Sequence, residues 1–500
     1  MRTLSMCKQL VNIMPDEGVF FKWCQKSKIV PVSCEIDADT ETPISLFNKF
    51  STKKYCFLFE SVEGGERWAR YSIMGRKPLW TMKVEEDSTL NPIELLDTML
   101  ASFRGEAFSH LPRFYSGFVG YFGYDMVSYY EKIPKSNKDE IGMPDCHLFI
   151  PEEVIVYDHF KQKMYIIVNT LVPQLEEPES ASSMQKRYEK AAQQLGDLQE
   201  EMLQPKHLDV RQKASDNTGK KEKPGPFTPN FSKQQFCSAV EKAKQYIKEG
   251  DIFQVVLSQR LSAPFSGSAY EVYRKLRKVN PSPYMYYITF DDATVVGASP
   301  EMLVRLQDDC VETCPIAGTR KRGSSEAQEL ALINELQEDE KECAEHMMLV
   351  DLGRNDVGKV SAFGSVKVKN LMHIEKFSHV MHMVTNVEGT LKAGNTPLDV
   401  LTALLPAGTV SGAPKIRAMQ IIEELEPVKR GIYAGAIGYL GFDGNMDTCI
   451  AIRTAVFKNG YAYVQAGAGI VADSVPENEY VETLNKAQGM ISAIEKAGER

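Results

Sequence analysis

Three β-type runs near the end of the chain, Ala434–Phe442, Cys449–Phe457 and Tyr461–Ala466, are joined by short turns. Asp443-Gly444-Asn445 lies in the first connection and Asn459-Gly460 forms the second. Asn-Gly is a strong hairpin signal, and parallel neighbours would need a crossover of a dozen or more residues. The pattern therefore predicts an antiparallel meander and argues against strict strand–helix alternation here. Further runs, Tyr55–Glu60, Phe118–Tyr124 and Glu153–Tyr157, are separated by turn residues: Gly64-Gly65, Pro112 and Gly142-Met143-Pro144. Strands are also expected at Ile252–Leu261 and Met285–Phe290. Helices come in blocks: Ser182–Met202, Ser232–Glu249 with Ser232 as N-cap and Gly250 past its end, one long helix Ser325–Val350, and a last helix from Pro476. Strands beside strands and helices in blocks indicate an α+β fold around antiparallel sheet.

The 500 residues are 43% hydrophobic and 25% charged, enough apolar content to rule out a disordered chain. The net charge of −9 argues against a nucleic-acid-binding body, which needs a basic face. No apolar run approaches the ~20 residues of a membrane span. Residues 1–14 lack the apolar stretch of a signal peptide. The cysteines stand singly, with no CxxC pair, as expected of reduced thiols in a cytoplasmic protein. Composition turns polar from about Pro173 to Pro229, and Gln204–Pro229 reads as a linker. Three regions follow: 17–172, a polar helix and linker at 173–229, and 230–495.

Two helices carry acidic pairs: Glu342-Cys343-Ala344-Glu345, and Glu479-Tyr480-Val481-Glu482 followed by Lys486. Spacings of three and seven share one helix face. If the faces meet, like charges at about 4 Å repel by ~4 kcal/mol at an effective dielectric of about 20, which calls for a cation. Oxygen ligands favour a hard ion such as Mg²⁺. The same spacing suits a solvated face, and Glu335, Glu338, Asp339 and Glu340 favour that reading on the first helix.

Gly467-Ala468-Gly469 follows the run Tyr461–Ala466, where glycines let backbone N–H groups form an anion nest. Arg453 interrupts an apolar strand; it either grips a carboxylate bidentately or faces solvent. Tyr433 offers a hydroxyl nearby. The sketch is a small molecule with two acidic ends, one on the metal and one on Arg453, Tyr433 and the glycines. His373, His379 and His382 cluster in sequence without a zinc-type partner set; one histidine acting as a proton carrier fits better.

Longer motifs add to this reading. They are Glu60-Ser61-Val62-Glu63-Gly64-Gly65-Glu66-Arg67-Trp68, Asp251–Arg260, Asn280-Pro281-Ser282-Pro283-Tyr284-Met285 and Pro315–Arg320. With them go Asp351–Asp356, Pro406–Lys415 and Gln465–Gly469. Over nearly all of the chain outside the linker, it resembles the chorismate-binding large subunits of the anthranilate synthase family. Phe59 departs from the family's usual leucine, and Gln488-Gly489-Met490 from its more familiar ending.

The resemblance implies two intertwined subdomains around antiparallel sheets. It implies Mg²⁺-dependent conversion of chorismate and ammonia to anthranilate and pyruvate. The family's metal-site glutamates fall on Glu345 and Glu482, with Glu342 and Glu479 beside them. Its chorismate contacts fall on Gly318, Thr319, Tyr433, Arg453, Gly467, Ala468, Gly469 and Lys486. His382 and Thr409 match groups near the ring and the departing hydroxyl. A separate L-tryptophan inhibitor site falls on Glu60, Ser61, Pro281, Ser282, Pro283, Tyr284 and Met285. The chain shows no Gly-x-Cys-x-Gly glutaminase turn, so ammonia from glutamine requires a separate amidotransferase subunit and a hetero-oligomer. Relatives make isochorismate, salicylate or aminodeoxychorismate; those carry a lysine at the position of Gln254 or of Ala317, and this chain has neither. A regulator that binds without turnover is the rival from another class, and the intact set Glu345, Glu482, His382 and Arg453 argues against it.

Overall fold

The structure is a computed structural model that describes residues 12–62, 70–85, 91–105, 108–173, 180–204, 225–377 and 380–498. Gly64-Gly65, most of the linker, and His379 lie outside the described residues.

Among the described residues every strand ladder is antiparallel, and the ladders form two arms that meet at Cys146–Asp158. That strand pairs with both Tyr71–Val84 and Gly117–Phe122. The first arm runs from Tyr71–Val84 through Cys56–Glu60, Tyr284–Thr289, Ala293–Ser299, Thr454–Lys458 and Tyr461–Ile470 to Gln254–Pro264. The second runs from Gly117–Phe122 through Ala436–Gly441, Met446–Ile450, Met302–Gln307 and Cys310–Thr313 to Val380–Thr390. Val380–Thr390 also pairs with Ile316–Lys321 and Lys367–Lys376. Each arm thus joins strands from both halves of the sequence, as two intertwined subdomains require. Burial follows: Cys146–Asp158 is buried almost throughout, its apolar side chains entering separate core clusters and its His147, Glu153 and Asp158 buried with them.

The helices start and stop where local chemistry dictates. Lys233–Glu249 opens on a capping box between Ser232 and Gln235 and closes on Gly250, whose φ of 85° needs no Cβ. Its Phe236, Val240 and Ala243 enter the core together with Leu401 and Ile422. Each cysteine among the described residues is a free thiol.

Three sequence expectations are corrected. The long helix is two, Glu326–Glu338 and Glu340–Val360. Asp339 breaks it with extended backbone, and its carboxylate accepts from the N–H of Lys341 and Glu342, both at 3.1 Å. That is N-cap chemistry, which periodicity does not report. The run Cys449–Phe457 is likewise two strands, Met446–Ile450 and Thr454–Lys458. They do not pair with each other but belong to different arms, so the meander is a hairpin pair on each side of a crossing at residues 451–453. Finally, Gly467-Ala468-Gly469 lies inside the strand Tyr461–Ile470, with Gly467 opposite Ser258 and Gly469 opposite Val256.

Candidate active site

A cavity of about 550 Å³ opens between the two arms. One wall is the paired strands carrying Gln254, Val256, Gly467 and Gly469. The facing wall carries Ile316, Ala317, Gly318 and Thr319, with His382 from the adjacent strand. Glu301, Thr409, Tyr433 and Arg453 line it between the walls. Helix Glu340–Val360 supplies Glu342 and Glu345, and helix Pro476–Gly498 supplies Glu479, Glu482 and Lys486. Residues scattered over more than 230 positions therefore share one space. Of the expected substrate and metal residues, only Ala468 is absent from the lining: it is fully buried, and alternation along the strand turns it from the neighbouring glycines.

The lining glycines leave clearance that a side chain would fill. A Cβ on Gly467 would stand 2.6 Å from the Tyr433 hydroxyl, and one on Gly469 would stand 2.6 Å from Gln254 Nε2. Arg453 sits at the crossing between the arms with φ of 53°, a left-handed conformation unusual for a side-chain-bearing residue. Such strain is held in place by its surroundings. Its Nη1 donates to the Lys486 carbonyl at 2.7 Å, leaving the rest of the fork for an anion. Lys486 Nζ donates to the Gly467 carbonyl at 3.1 Å and pairs with Glu482 at 2.6 Å.

The acidic faces of the two helices line the same cavity. Burial raises the Glu345 carboxyl pKa, as do the charges of Glu342 and Glu482, while Lys486 opposes the shift. Glu479 is raised by burial and by Glu482. Two of the four carboxylates are paired with cations, Glu482 with Lys486 and Glu342 with Arg320 at 3.2 Å. Among the described residues, no three acidic, His or Cys side chains stand close enough to hold a metal unaided. Mg²⁺ needs only one or two carboxylates, with waters and ligand oxygens completing its shell. An all-oxygen donor set in which burial and neighbouring carboxylates raise Glu345 and Glu479 fits that ion.

His382 Nδ1 lies 3.0 Å from the Thr319 hydroxyl and 3.2 Å from the Gly318 carbonyl. A hydroxyl and a carbonyl on the same nitrogen fix the direction of the ring, with Nε2 at its other end. His373 instead faces Glu375 and the Asn370 carbonyl, away from this cavity. The residue that sequence reading missed is Glu301. Burial pushes its carboxyl up to about 8, so it holds a proton at neutral pH. The half-buried Thr409 lies beside it, with its hydroxyl oxygen shut off from solvent and close enough to the carboxyl to oppose the shift. The available signal was a single acid between two apolar strands, Ala293–Ser299 and Met302–Gln307.

Comparison with known proteins agrees with this geometry. Residues 54–492 match the family described as chorismate binding enzyme. The chain belongs to that family. Anthranilate synthase component 1 of Acetivibrio thermocellus is 53% identical over 488 residues, covering 94% of this chain and 96% of that protein. The Aquifex aeolicus protein of the same name is 45% identical, covering 96% and 97%. The crystal structure of anthranilate synthase component I from Streptococcus pneumoniae superposes with a TM-score of 0.73 at 42% identity, covering 86% of this chain and 93% of that one. The isochorismate synthase MenF of Escherichia coli shares the fold, with a TM-score of 0.70 at 20% identity.

This chorismate-binding enzyme has a second cavity, about 230 Å³, which shares no lining residue with the first. Glu60, Ser61, Pro283, Tyr284 and Met285 line it; Pro281 and Ser282 do not. Ser282 instead accepts the Val62 N–H at 3.2 Å, tying the two segments together behind the cavity. Glu60 is buried between the Tyr273 hydroxyl at 2.5 Å and Arg277 at 3.2 Å. No helix among the described residues is long and apolar enough to cross a membrane.

Proposed function

We propose that the chain is an anthranilate synthase component I, converting chorismate and ammonia to anthranilate, pyruvate and water. The observation that carries this reading is the lining at two positions. Gln254 and Ala317 both face the cavity. An amide does not take a proton from water near neutral pH, and a methyl group attacks nothing. The nucleophile must arrive from outside, and free ammonia needs no activating base.

Arg453 and Tyr433 hold the enolpyruvyl carboxylate, and Lys486 completes the anionic grip beside Gly467. Glu345 and Glu482, with Glu342 and Glu479 beside them, would hold Mg²⁺, which when bound neutralises the ring carboxylate. Ammonia forms a bond to C2 as the C4–O bond breaks. Glu301, protonated by its burial, gives its proton to the departing oxygen, which leaves as water. Thr409 sits beside that oxygen. His382, held through Nδ1, is the proton carrier next to the ring. Loss of the C2 proton and cleavage of the C3–O bond then release pyruvate and aromatise the ring. Glutamine supplies the ammonia through a separate amidotransferase subunit, and L-tryptophan fills the second cavity as an allosteric inhibitor.

Incubating the purified chain with chorismate, Mg²⁺ and ammonium tests this. Equal amounts of anthranilate and pyruvate are expected. Isochorismate, salicylate or aminodeoxychorismate as the main product would overturn the assignment. Turnover with glutamine by the single chain would refute the separate-subunit reading.

A further inference from the structure

Arg430 does not line the substrate cavity, yet its guanidinium reaches three of the segments that do. It is 3% exposed. Nη1 donates to the Val410 carbonyl at 2.8 Å, next to Thr409. Nη2 donates to the carbonyl of Val256, itself a cavity residue, at 2.7 Å. The guanidinium carbon also lies over the Tyr433 ring, 5.4 Å from its centroid, with Tyr124 at 4.8 Å. Glu426 fixes the fork itself, accepting from Nε at 2.9 Å and Nη2 at 2.6 Å. The same Glu426 accepts from the Ser258 N–H at 2.7 Å and hydroxyl at 2.9 Å, and that hydroxyl accepts from Gln465, another lining residue, at 2.8 Å.

A buried ion pair is weak evidence for stability, because apolar side chains of the same volume often serve as well or better. What this pair supplies is registry. A planar fork satisfies two carbonyls, a carboxylate and two aromatic faces in fixed directions; a lysine ammonium is a point charge without that geometry. We infer that Arg430 is a positioning residue, holding Tyr433, the Thr409 loop and the Val256 strand in mutual register for the reaction. The inference rests on the reading of the cavity as the chorismate site.

The test is a double-mutant cycle on kcat/KM for chorismate with Arg430→Lys and Tyr433→Phe, since interacting residues are non-additive and independent ones are not. Arg430→Lys is expected to lower kcat/KM about 100-fold, the loss typical of groups misplaced by about 1 Å. The double variant is expected to lose at least tenfold less than the product of the single losses. L-tryptophan affinity at the remote cavity stays at the wild-type value, which a general loosening of the fold would not allow. Unchanged kcat/KM in Arg430→Lys, or losses that multiply, overturns the inference. If Arg430→Lys does not fold, Glu426→Gln enters the same cycle, since it loosens the fork while keeping the guanidinium; multiplying losses there overturn it equally. Calorimetric binding of chorismate to the wild-type chain separates the two claims: no binding refutes the site, whereas binding with uncoupled variants refutes only Arg430's role.

Discussion

Gly467→Ala is the smallest change that tests whether the glycines work by clearance. The new Cβ would lie 2.6 Å from the Tyr433 hydroxyl, 3.0 Å from the Leu257 carbonyl and 3.0 Å from Val256 Cγ1. Ordinary van der Waals contact begins at 3.4 Å, so the hydroxyl must yield 3.4 − 2.6 = 0.8 Å. Tyr433 is buried with its ring against Arg430 and has little room to retreat. Overpacking of this kind costs about 1–3 kcal/mol of stability. Displacing a substrate-gripping hydroxyl by nearly 1 Å lowers kcat/KM about 100-fold, or ~2.7 kcal/mol of transition-state stabilisation. Anthranilate fluorescence against chorismate concentration, at saturating Mg²⁺ and ammonium, reads the change, and thermal unfolding reads the stability. Gly358→Ala is the control. It sits in helix Glu340–Val360 with no atom within 4 Å of the new Cβ, so it gains roughly 0.5–1 kcal/mol and leaves the kinetics alone. Adding Tyr433→Phe to Gly467→Ala removes the clashing oxygen and restores part of the lost unfolding temperature. If Gly467→Ala matches wild type in kcat, KM and unfolding temperature, the clearance argument is wrong.

Glu301→Gln keeps shape but carries no transferable proton, so kcat falls about 10²–10⁴-fold with KM little changed; a wild-type kcat would remove Glu301 from the mechanism. Because burial raises this carboxyl to about 8, the proton is present below that pH and lost above it. Turnover measured at constant free NH₃ should therefore decline as pH rises through about 8, with that limb absent from the residual activity of Glu301→Gln. EDTA should abolish turnover, and Glu482→Gln should recover only at much higher Mg²⁺; full activity at ordinary Mg²⁺ would sink the metal assignment. Ser61→Arg should fill the second cavity and relieve L-tryptophan inhibition while sparing uninhibited turnover, and strictly competitive inhibition untouched by this change would refute a separate site.

The antiparallel α+β character was legible because it rests on local chemistry: Asn459-Gly460 makes a hairpin whatever surrounds it, and Ser232 and Gly250 cap a helix from a few residues away. The paired glutamates were legible as helix faces, and the long motifs pointed to the family and to most of the residues that line the cavity. What sequence reading left undecided, or decided wrongly, depends on distant partners. Whether Glu342 and Glu345 face solvent or a second acidic helix is settled by where Pro476–Gly498 packs, more than 130 residues later. The break at Arg453 arises because its two flanking strands pair with different arms, so the chain must turn where an apolar run alone predicts continuity. The glycines sit within a strand because Gln254–Pro264 pairs along their whole length. Glu301 is an ordinary acid in sequence; only the closing of both arms around it removes its water and keeps its proton on. Turns and caps are set by neighbours along the chain, whereas burial and electrostatics are set by neighbours in space.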